Sequence, residues 1–163
     1  MDLPHVIQYR RGLLPEPERE FYISGDAFVK DWIIKVRNDV PDAPVLVTAG
    51  GLLHYFEENK VISLLRMIGQ SGNMEVVFDT VNKKGMAMMQ KKYMKQVGHA
   101  DAQMFFYVDA AKELAAKIRG NVKVIAEEPY YRYIPKNGLK LSTKVSMAVS
   151  DQFKMVKMIH LKL

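Results

Sequence analysis

The sequence predicts an α/β protein with a three-layer, mostly parallel sheet and an antiparallel hairpin at one edge. Two apolar, β-branched runs predict strands that are buried on both faces. Apolar residues at helical spacing follow these runs, and alternating strands and helices are typical of a parallel sheet covered by helices. Two late strands joined by a long connection predict the antiparallel hairpin.

The first part of the chain predicts short elements. After an opening loop, apolar residues at helical spacing predict a short helix over 8–14, which ends before Pro15-Glu16-Pro17. Residues 21–24 predict a short strand, ended by Gly25-Asp26, and residues 32–36 predict a second short helix. The alternation of elements therefore starts early.

The middle of the chain predicts a strand-helix-strand unit. The run over 44–49 is continuous, apolar and closed by Gly50-Gly51, as expected for a buried parallel strand. A crossover helix is predicted over 53–67, with Glu57-Glu58 in its first turn, where the helix dipole favours acidic side chains. The run over 75–79 predicts the next buried strand.

The second half predicts two more helices and two more strands. Helices are predicted over 86–97 and 108–118, the latter ending at Gly120-Asn121. Strands are predicted over 122–126 and 155–163, where side chains alternate as in an edge or antiparallel strand. These two late strands form the predicted hairpin.

The composition limits the classes of function. A chain of 163 residues, 48% of them hydrophobic, predicts one domain over 1–163. It has no cysteine, which excludes disulfides, thiolate catalysis and cysteine-based zinc sites. Without a leader or an apolar run long enough for a membrane span, we expect a soluble, cytoplasmic protein. The net charge of +6 comes from scattered lysines, which predict a solvated face and no nucleic-acid partner.

The motifs alone name no reaction. The sequence contains no serine elbow, no HExxH and no P-loop, and its isolated histidines predict no metal site. Because open α/β sheets bind ligands at the carboxyl ends of their strands, the residues of interest follow the strands: Asp26, Thr48 to Gly51, and Asp79 to Val81.

A resemblance adds the chemistry. The segments DLPHVIQYRRGLLPEPEREFYISGDAFVKDWI and PVLVTAGGLLHYFEENKVISLLRMI closely resemble the leucine carboxyl methyltransferase-like family, which includes the tetracenomycin-type polyketide O-methyltransferases. The resemblance covers residues 2 to about 80. It implies the C-terminal part of a class I, Rossmann-like methyltransferase domain that uses S-adenosylmethionine.

The resemblance implies two carboxylates in the cofactor site. Asp2 matches the family's acid that binds the ribose hydroxyls, and a carboxylate at a strand end can accept hydrogen bonds from a vicinal diol. Asp26 matches the acid that accepts from the adenine amine, and Ala27 offers a backbone amide beside it. Alternatively, Asp2 is a solvated terminal acid, and Asp26 caps the helix that contains Trp32.

The next family contact is at Ala49, Gly50 and Gly51. Many family members have Ala-Glu-Gly here, so Gly50 removes an acid from the floor of the site. The glycines allow close backbone approach to a ligand, although a strand-to-helix turn explains them equally well. Tyr55 matches the family's tyrosine after this turn, where we expect it to pack beneath the site.

The family's first strand and glycine-containing loop would precede residue 1, so we expect them to be missing from this chain. A sheet without that strand exposes an apolar edge, which predicts a homo-oligomer that pairs through this edge. The expected function is methyl transfer from S-adenosylmethionine to a carboxylate or hydroxyl of a small molecule. His54, Tyr55 and Asp79 are candidate bases by position alone. The alternative is a non-catalytic remnant that acts as an interaction or structural protein.

Overall fold

The computed structural model describes residues 1–93 and 103–163, which form two compact units, Met1–Ala43 and Pro44–Leu163. The first unit contains α1 (Pro4–Leu13) and α2 (Asp31–Asp39). The second contains β1 (Val45–Ala49), a 3₁₀ turn (Leu53–Tyr55), α3 (Glu58–Gly69), β2 (Met74–Val81), α4 (Lys83–Met88), a π-helical turn (Met89–Tyr93), α5 (Ala111–Ile118), β3 (Lys123–Pro129), α6 (Leu141–Gln152) and β4 (Val156–Lys162).

In the first unit, the predicted strand over 21–24 is wrong in extent. Only Ser24 pairs, through a single parallel bridge to Asp2. The pairing stops there because α1 starts at Pro4, so the chain leaves the extended conformation just after Asp2. The first helix therefore starts earlier than predicted, with proline in the first turn, where its missing N–H costs no hydrogen bond.

The four strands of the second unit form one open, mixed sheet in the order β1-β2-β4-β3. β1 and β2 are parallel, and β4 is antiparallel to both of its neighbours, β2 and β3. Three strands therefore run in one direction and one runs against them. This is the predicted α/β sheet with an antiparallel pair at one edge.

The core of the second unit lies on one face of this sheet. Val76 and Phe78 of β2 pair with Leu161 and Ile159 of β4, and all four side chains are buried. The apolar sides of α3 and α5 contribute Val61, Leu65, Leu114 and Ile118 to the buried core. On the opposite face the side chain of Leu46 in β1 is 57% exposed. One face is therefore covered more fully than the other.

Several predicted helices differ in their bounds. The crossover helix predicted over 53–67 is interrupted, because Glu57 has extended backbone before α3 begins. The helix predicted over 86–97 is α4 followed by the π-helical turn, and its last residues lie outside the described part of the chain. Helix α6 was missed within the long connection, because its apolar residues Leu141 and Val145 are exposed and indicate no buried face.

None of the helices in residues 1–93 and 103–163 has the length and apolarity that a membrane crossing needs.

Candidate functional site

The carboxyl ends of β1, β2 and β3 lie at the same edge of the sheet, because these strands run in the same direction. This edge is where open α/β sheets place their ligands. It brings together the turn after β1 and the last residues of β2, so Gly51, His54 and Asp79 lie close together. We call these three residues the His54 cluster.

Asp79 ties the turn after β1 to strand β2. The backbone N–H of Gly51 donates to Asp79 Oδ1 at 2.7 Å. Gly51 has a φ of 64°, in the left-handed region that glycine adopts without strain. A side chain on the neighbouring Gly50 would meet nothing within 4 Å, so the backbone there is open to approach. The turn therefore needs one glycine for its conformation and leaves free space at the other.

His54 lies beside the second oxygen of the same carboxylate. Its Nε2 is 3.7 Å from Asp79 Oδ2, and the residue is only 5% exposed. Burial lowers the pKa of His54 below its ordinary value of 6.5, whereas the charge of Asp79 acts to raise it. Because burial has the larger effect, the imidazole is neutral near pH 7.

The other ring nitrogen of His54 has no partner. Nδ1 is buried and makes no hydrogen bond to any residue in the described part of the chain. Buried polar atoms nearly always have a partner, and an exception needs an explanation, such as a catalytic role or a bound water. His54 Nδ1 is therefore the most unusual polar atom at this edge of the sheet.

A segment that we call the covering segment, residues 104–109, crosses the carboxyl end of the sheet. The backbone N–H groups of Phe105 and Phe106 donate to the carbonyl of His54 at 2.7 and 3.3 Å. Further along, the Val108 N–H donates to the Val81 carbonyl at 2.8 Å. Backbone hydrogen bonds therefore fix this segment between the His54 turn and the end of β2.

Two half-exposed aromatic residues adjoin His54. The Tyr55 ring packs edge-on against the imidazole, with 5.8 Å between ring centroids, and Tyr55 is 43% exposed. Phe105, which bonds to the His54 carbonyl, is 42% exposed. Tyr55 was expected to pack beneath the site, but nearly half of it is accessible. The sequence analysis did not single out Phe105, and nothing in its sequence spacing indicates this position.

In the first unit, the structure brings Asp2 and Asp26 near each other. The Gly25 N–H donates to the Asp2 carbonyl at 3.0 Å, which places Asp26 one residue from the bridge between Asp2 and Ser24. Asp2 Oδ1 accepts from the Leu3 N–H at 2.8 Å. Both carboxylates therefore follow short extended segments, as the resemblance implies.

Asp26 does not cap the helix that contains Trp32. The N-cap of α2 is Lys30, and Asp26 Oδ1 instead accepts from the Phe28 N–H at 2.9 Å, in a turn before the helix. Its second oxygen accepts no hydrogen bond from the described residues. The carbonyl of Ala27 accepts from Trp32 Nε1 at 3.0 Å. The turn leaves one carboxylate oxygen available to a ligand.

A cavity of about 510 Å³ lies beside Asp26 within the first unit. Tyr22, Trp32 and Lys35 contribute to its lining. The hydroxyl of Tyr22 is buried and lacks a hydrogen-bond partner among the described residues. Sequence reasoning missed Tyr22, although it immediately precedes the Ile-Ser-Gly-Asp stretch that includes Asp26.

The six predicted cofactor residues fall into two groups. Asp2, Asp26 and Ala27 lie in the first unit, and Ala49, Gly50 and Gly51 lie in the second. Each group has an available polar or backbone surface within its own unit. Among the described residues, no set of three or more His, Asp or Glu side chains is placed to hold a metal ion.

The chain has one informative match among curated proteins. It is 32% identical over 132 residues to the S-adenosyl-L-methionine-dependent methyltransferase dpfgK of Gibberella zeae, a match that covers 73% of this chain and 43% of that protein. The chain thus spans less than half the length of this relative. No protein-family model matches the sequence.

Solved structures share the fold. A DUF574 family protein from Streptomyces avermitilis matches 99% of this chain and 63% of its own, with a TM-score of 0.63 and 12% identity. LepI, in its complex with SAM, matches 98% of this chain and 34% of its own, with a TM-score of 0.54 and 17% identity. The chain is therefore a homologue of S-adenosylmethionine-dependent methyltransferases and matches part of their α/β domain, as its sequence resemblance predicts.

Proposed function

We propose that this chain takes part in methyl transfer from S-adenosylmethionine to an oxygen atom of a small molecule. The observation that carries the proposal is the sequence match to a methyltransferase over 73% of the chain. The His54 cluster supports it, because a glycine turn, a carboxylate and a neutral imidazole meet at the ligand-binding edge of the sheet. Since the match spans 43% of the relative, the activity of the whole protein is part of the proposal.

The first unit would bind the adenosine part of the cofactor. The available oxygen of Asp26 would accept a hydrogen bond from the adenine amine, and the adjacent Ala27 amide would donate to the ring. Asp2 would accept from the ribose hydroxyls. The cavity beside Asp26 and the partnerless Tyr22 hydroxyl support ligand binding in this unit.

The second unit would contact the cofactor through the turn after β1. Gly50 has no side chain and its surroundings are open, so a ligand can approach the backbone of Ala49, Gly50 and Gly51 closely. The carboxylate of Asp79 fixes this turn by its hydrogen bond to Gly51. The glutamate that many family members have at Gly50 is absent, so the backbone is the proposed contact here.

Titration calorimetry with S-adenosylhomocysteine, the product of the reaction, tests this proposal. We expect saturable binding to the wild-type chain and binding about 10-fold or more weaker in Asp26→Ala, because a hydrogen bond to a charged group contributes about 1.5–3 kcal/mol. Asp39→Ala is the matched control, since Asp39 is an exposed acid at the far end of α2. Equal weakening by both variants would contradict the assigned role of Asp26.

The same titration decides the alternative. A wild-type chain that stays folded and gives no heat with millimolar S-adenosylhomocysteine would be a non-catalytic remnant of the fold. In that case an interaction or structural role would replace methyl transfer.

We also propose that two copies of the chain pair through strand β1. β1 has β2 on one side, and no described residue of its unit pairs with the other side. Such an edge presents unpaired N–H and C=O groups to other strands, and the exposed Leu46 adds apolar surface. We expect light scattering to show a dimer that Leu46→Lys dissociates. Ile125→Lys, on the edge strand β3, is the matched control. A wild-type mass of one chain at all concentrations would contradict this proposal.

A further inference from the structure

The inference concerns the class of methyl acceptor and rests on the proposed methyl transfer. We propose that the acceptor is a phenolic hydroxyl and that Nδ1 of His54 takes its proton. Two features point to this role. His54 Nδ1 is buried without a partner in the described residues, and two half-exposed aromatic residues, Tyr55 and Phe105, adjoin the same histidine.

The position of Asp79 determines which nitrogen of His54 carries the proton. A carboxylate oxygen 3.7 Å from Nε2 favours a proton on Nε2, because a lone pair there would face negative charge. In the neutral ring, Nδ1 then has the lone pair and can only accept a hydrogen bond. The structure thus places a hydrogen-bond acceptor where a ligand's O–H can satisfy it.

An acceptor at Nδ1 selects a hydroxyl over a carboxylate. A carboxylate has no proton to donate, so its oxygen and the Nδ1 lone pair would repel each other. A hydroxyl donates to Nδ1 and removes the cost of leaving this buried nitrogen without a partner. Among hydroxyls, a phenol has a pKa near 10, much closer to that of an imidazole than the pKa of an aliphatic alcohol.

The surroundings of His54 fit an aromatic ring. Aromatic pairs prefer offset-stacked or edge-to-face contacts, and the accessible parts of Tyr55 and Phe105 offer such surfaces. The exposed Leu52 precedes the turn and adds apolar surface. A phenol that donates to Nδ1 would bury its ring against residues that are otherwise open to water.

The chemical step balances without a further reactant. When bound, S-adenosylmethionine supplies a methyl carbon that bonds to the phenol oxygen while its bond to sulfur breaks and that electron pair stays on sulfur. The phenol proton passes to His54 Nδ1. The imidazolium that results faces the Asp79 carboxylate, which stabilises it, and then releases the proton to solvent. Asp79 does not touch the acceptor, so it is a positioning residue.

Nitrogen-15 NMR of the histidine rings tests the inference directly, with 2-naphthol as the probe and 2-naphthoate as its carboxylate counterpart. Each is added to the wild-type chain in the presence of S-adenosylhomocysteine. We expect 2-naphthol to shift the Nδ1 resonance of His54 saturably and 2-naphthoate to leave it unchanged. His160, which bonds to Glu75 at 2.7 Å on β4, is the internal control.

Two variants complete the experiment. We expect His54→Gln to weaken 2-naphthol binding about tenfold and to leave affinity for S-adenosylhomocysteine unchanged, while His160→Gln changes neither. Asp79→Asn keeps an acceptor for Gly51, and we expect it to change the protonation of the His54 ring as seen in the nitrogen-15 spectrum.

The outcomes separate this inference from the proposed function. Binding of S-adenosylhomocysteine with no response of Nδ1 to 2-naphthol would overturn the phenol inference and leave methyl transfer standing. An equal response of Nδ1 to 2-naphthoate would overturn the selection of a hydroxyl. Failure of the wild-type chain to bind S-adenosylhomocysteine would overturn the proposed function, whatever the ring nitrogens show.

Discussion

Two buried polar pairs in the sheet unit differ in how completely they are bonded. Lys157 on β4 is 1% exposed, and its Nζ donates to Glu127 Oε1 at 2.7 Å and to the Asp109 carbonyl at 2.8 Å. Glu127 Oε2 accepts from the Ala111 N–H at 3.1 Å. In the His54 cluster, by contrast, Nδ1 has no described partner and Nε2 is 3.7 Å from Asp79. A fully bonded pair holds the fold together, whereas a partly bonded pair is available to a ligand.

The pKa values show the same difference. Burial acts to raise the pKa of Glu127, but hydrogen bonds from Lys157 and the Ala111 N–H outweigh it and hold the pKa below 4.5. For His54, burial outweighs the charge of Asp79 and lowers the pKa. The Lys157 pair therefore keeps its charges, while His54 loses its own.

The largest effect is expected from Glu127→Ala. This change leaves the buried ammonium of Lys157 without its countercharge, and breaking a buried ion pair in this way costs about 3–5 kcal/mol of unfolding free energy. Urea denaturation at pH 7 measures the loss. A loss well below this range would mean that water reaches Lys157, and the comparison with the His54 cluster would fail.

Two controls sharpen this result. Glu128→Ala, at the next position, removes an exposed ion pair with Arg132, and we expect little change in stability. The double variant Glu127→Leu, Lys157→Met removes both charges together, and we expect it to recover much of the lost stability.

An intermediate effect is expected from Gly85→Ala. Asn82 Oδ1 accepts from the Gly85 N–H at 2.7 Å, and the Asn82 N–H donates to the Met155 carbonyl at 3.1 Å. A methyl group on Gly85 would overlap that carbonyl oxygen just before β4. Overpacking of this kind costs about 1–3 kcal/mol. Gly12→Ala in α1 is the control, because it meets nothing within 4 Å and gains helix propensity.

Thermal unfolding measures both glycine variants. A Gly85→Ala protein as stable as the wild type would show that the Asn82 turn and the start of β4 can move apart. The bonded region would then be less rigid than its hydrogen bonds indicate.

Strong local patterns made much of the sheet predictable. The β-branched runs of β1 and β2 indicate buried strands by themselves, and the alternation in β4 indicates an antiparallel edge pair. Helix α6 was not predictable in this way, because its apolar residues Leu141 and Val145 face solvent and its interior contains serine and threonine.

The site was predictable only in part. Position after a strand identified His54 and Asp79 as candidates, but their proximity arises because β1 and β2 pair in parallel and place both carboxyl ends together. The partnerless state of Nδ1 depends on the covering segment, which follows β2 by more than twenty residues. Sequence spacing does not encode such a long-range arrangement, so it could not reveal this atom.

The smallest effect at pH 7 is expected from His54→Leu. The imidazole has no strong hydrogen bond to lose, so replacement by an apolar side chain of similar size should change the unfolding free energy by less than about 1 kcal/mol. The distinguishing effect appears on acidification. The unfolded chain takes up a proton at His54 near pH 6.5, whereas the folded chain does so only at lower pH.

The wild type should therefore lose stability as pH falls below 6.5, by at most about 1.4 kcal/mol per pH unit from this group, and His54→Leu should lack that part of the loss. Urea unfolding of both proteins at pH 7.5, 6.0 and 5.0 measures the difference. This range lies above 4.5, below which Glu127 starts to lose its own contribution. Parallel curves for the two proteins would show that His54 titrates normally, and its buried nitrogen would then have a partner in solution.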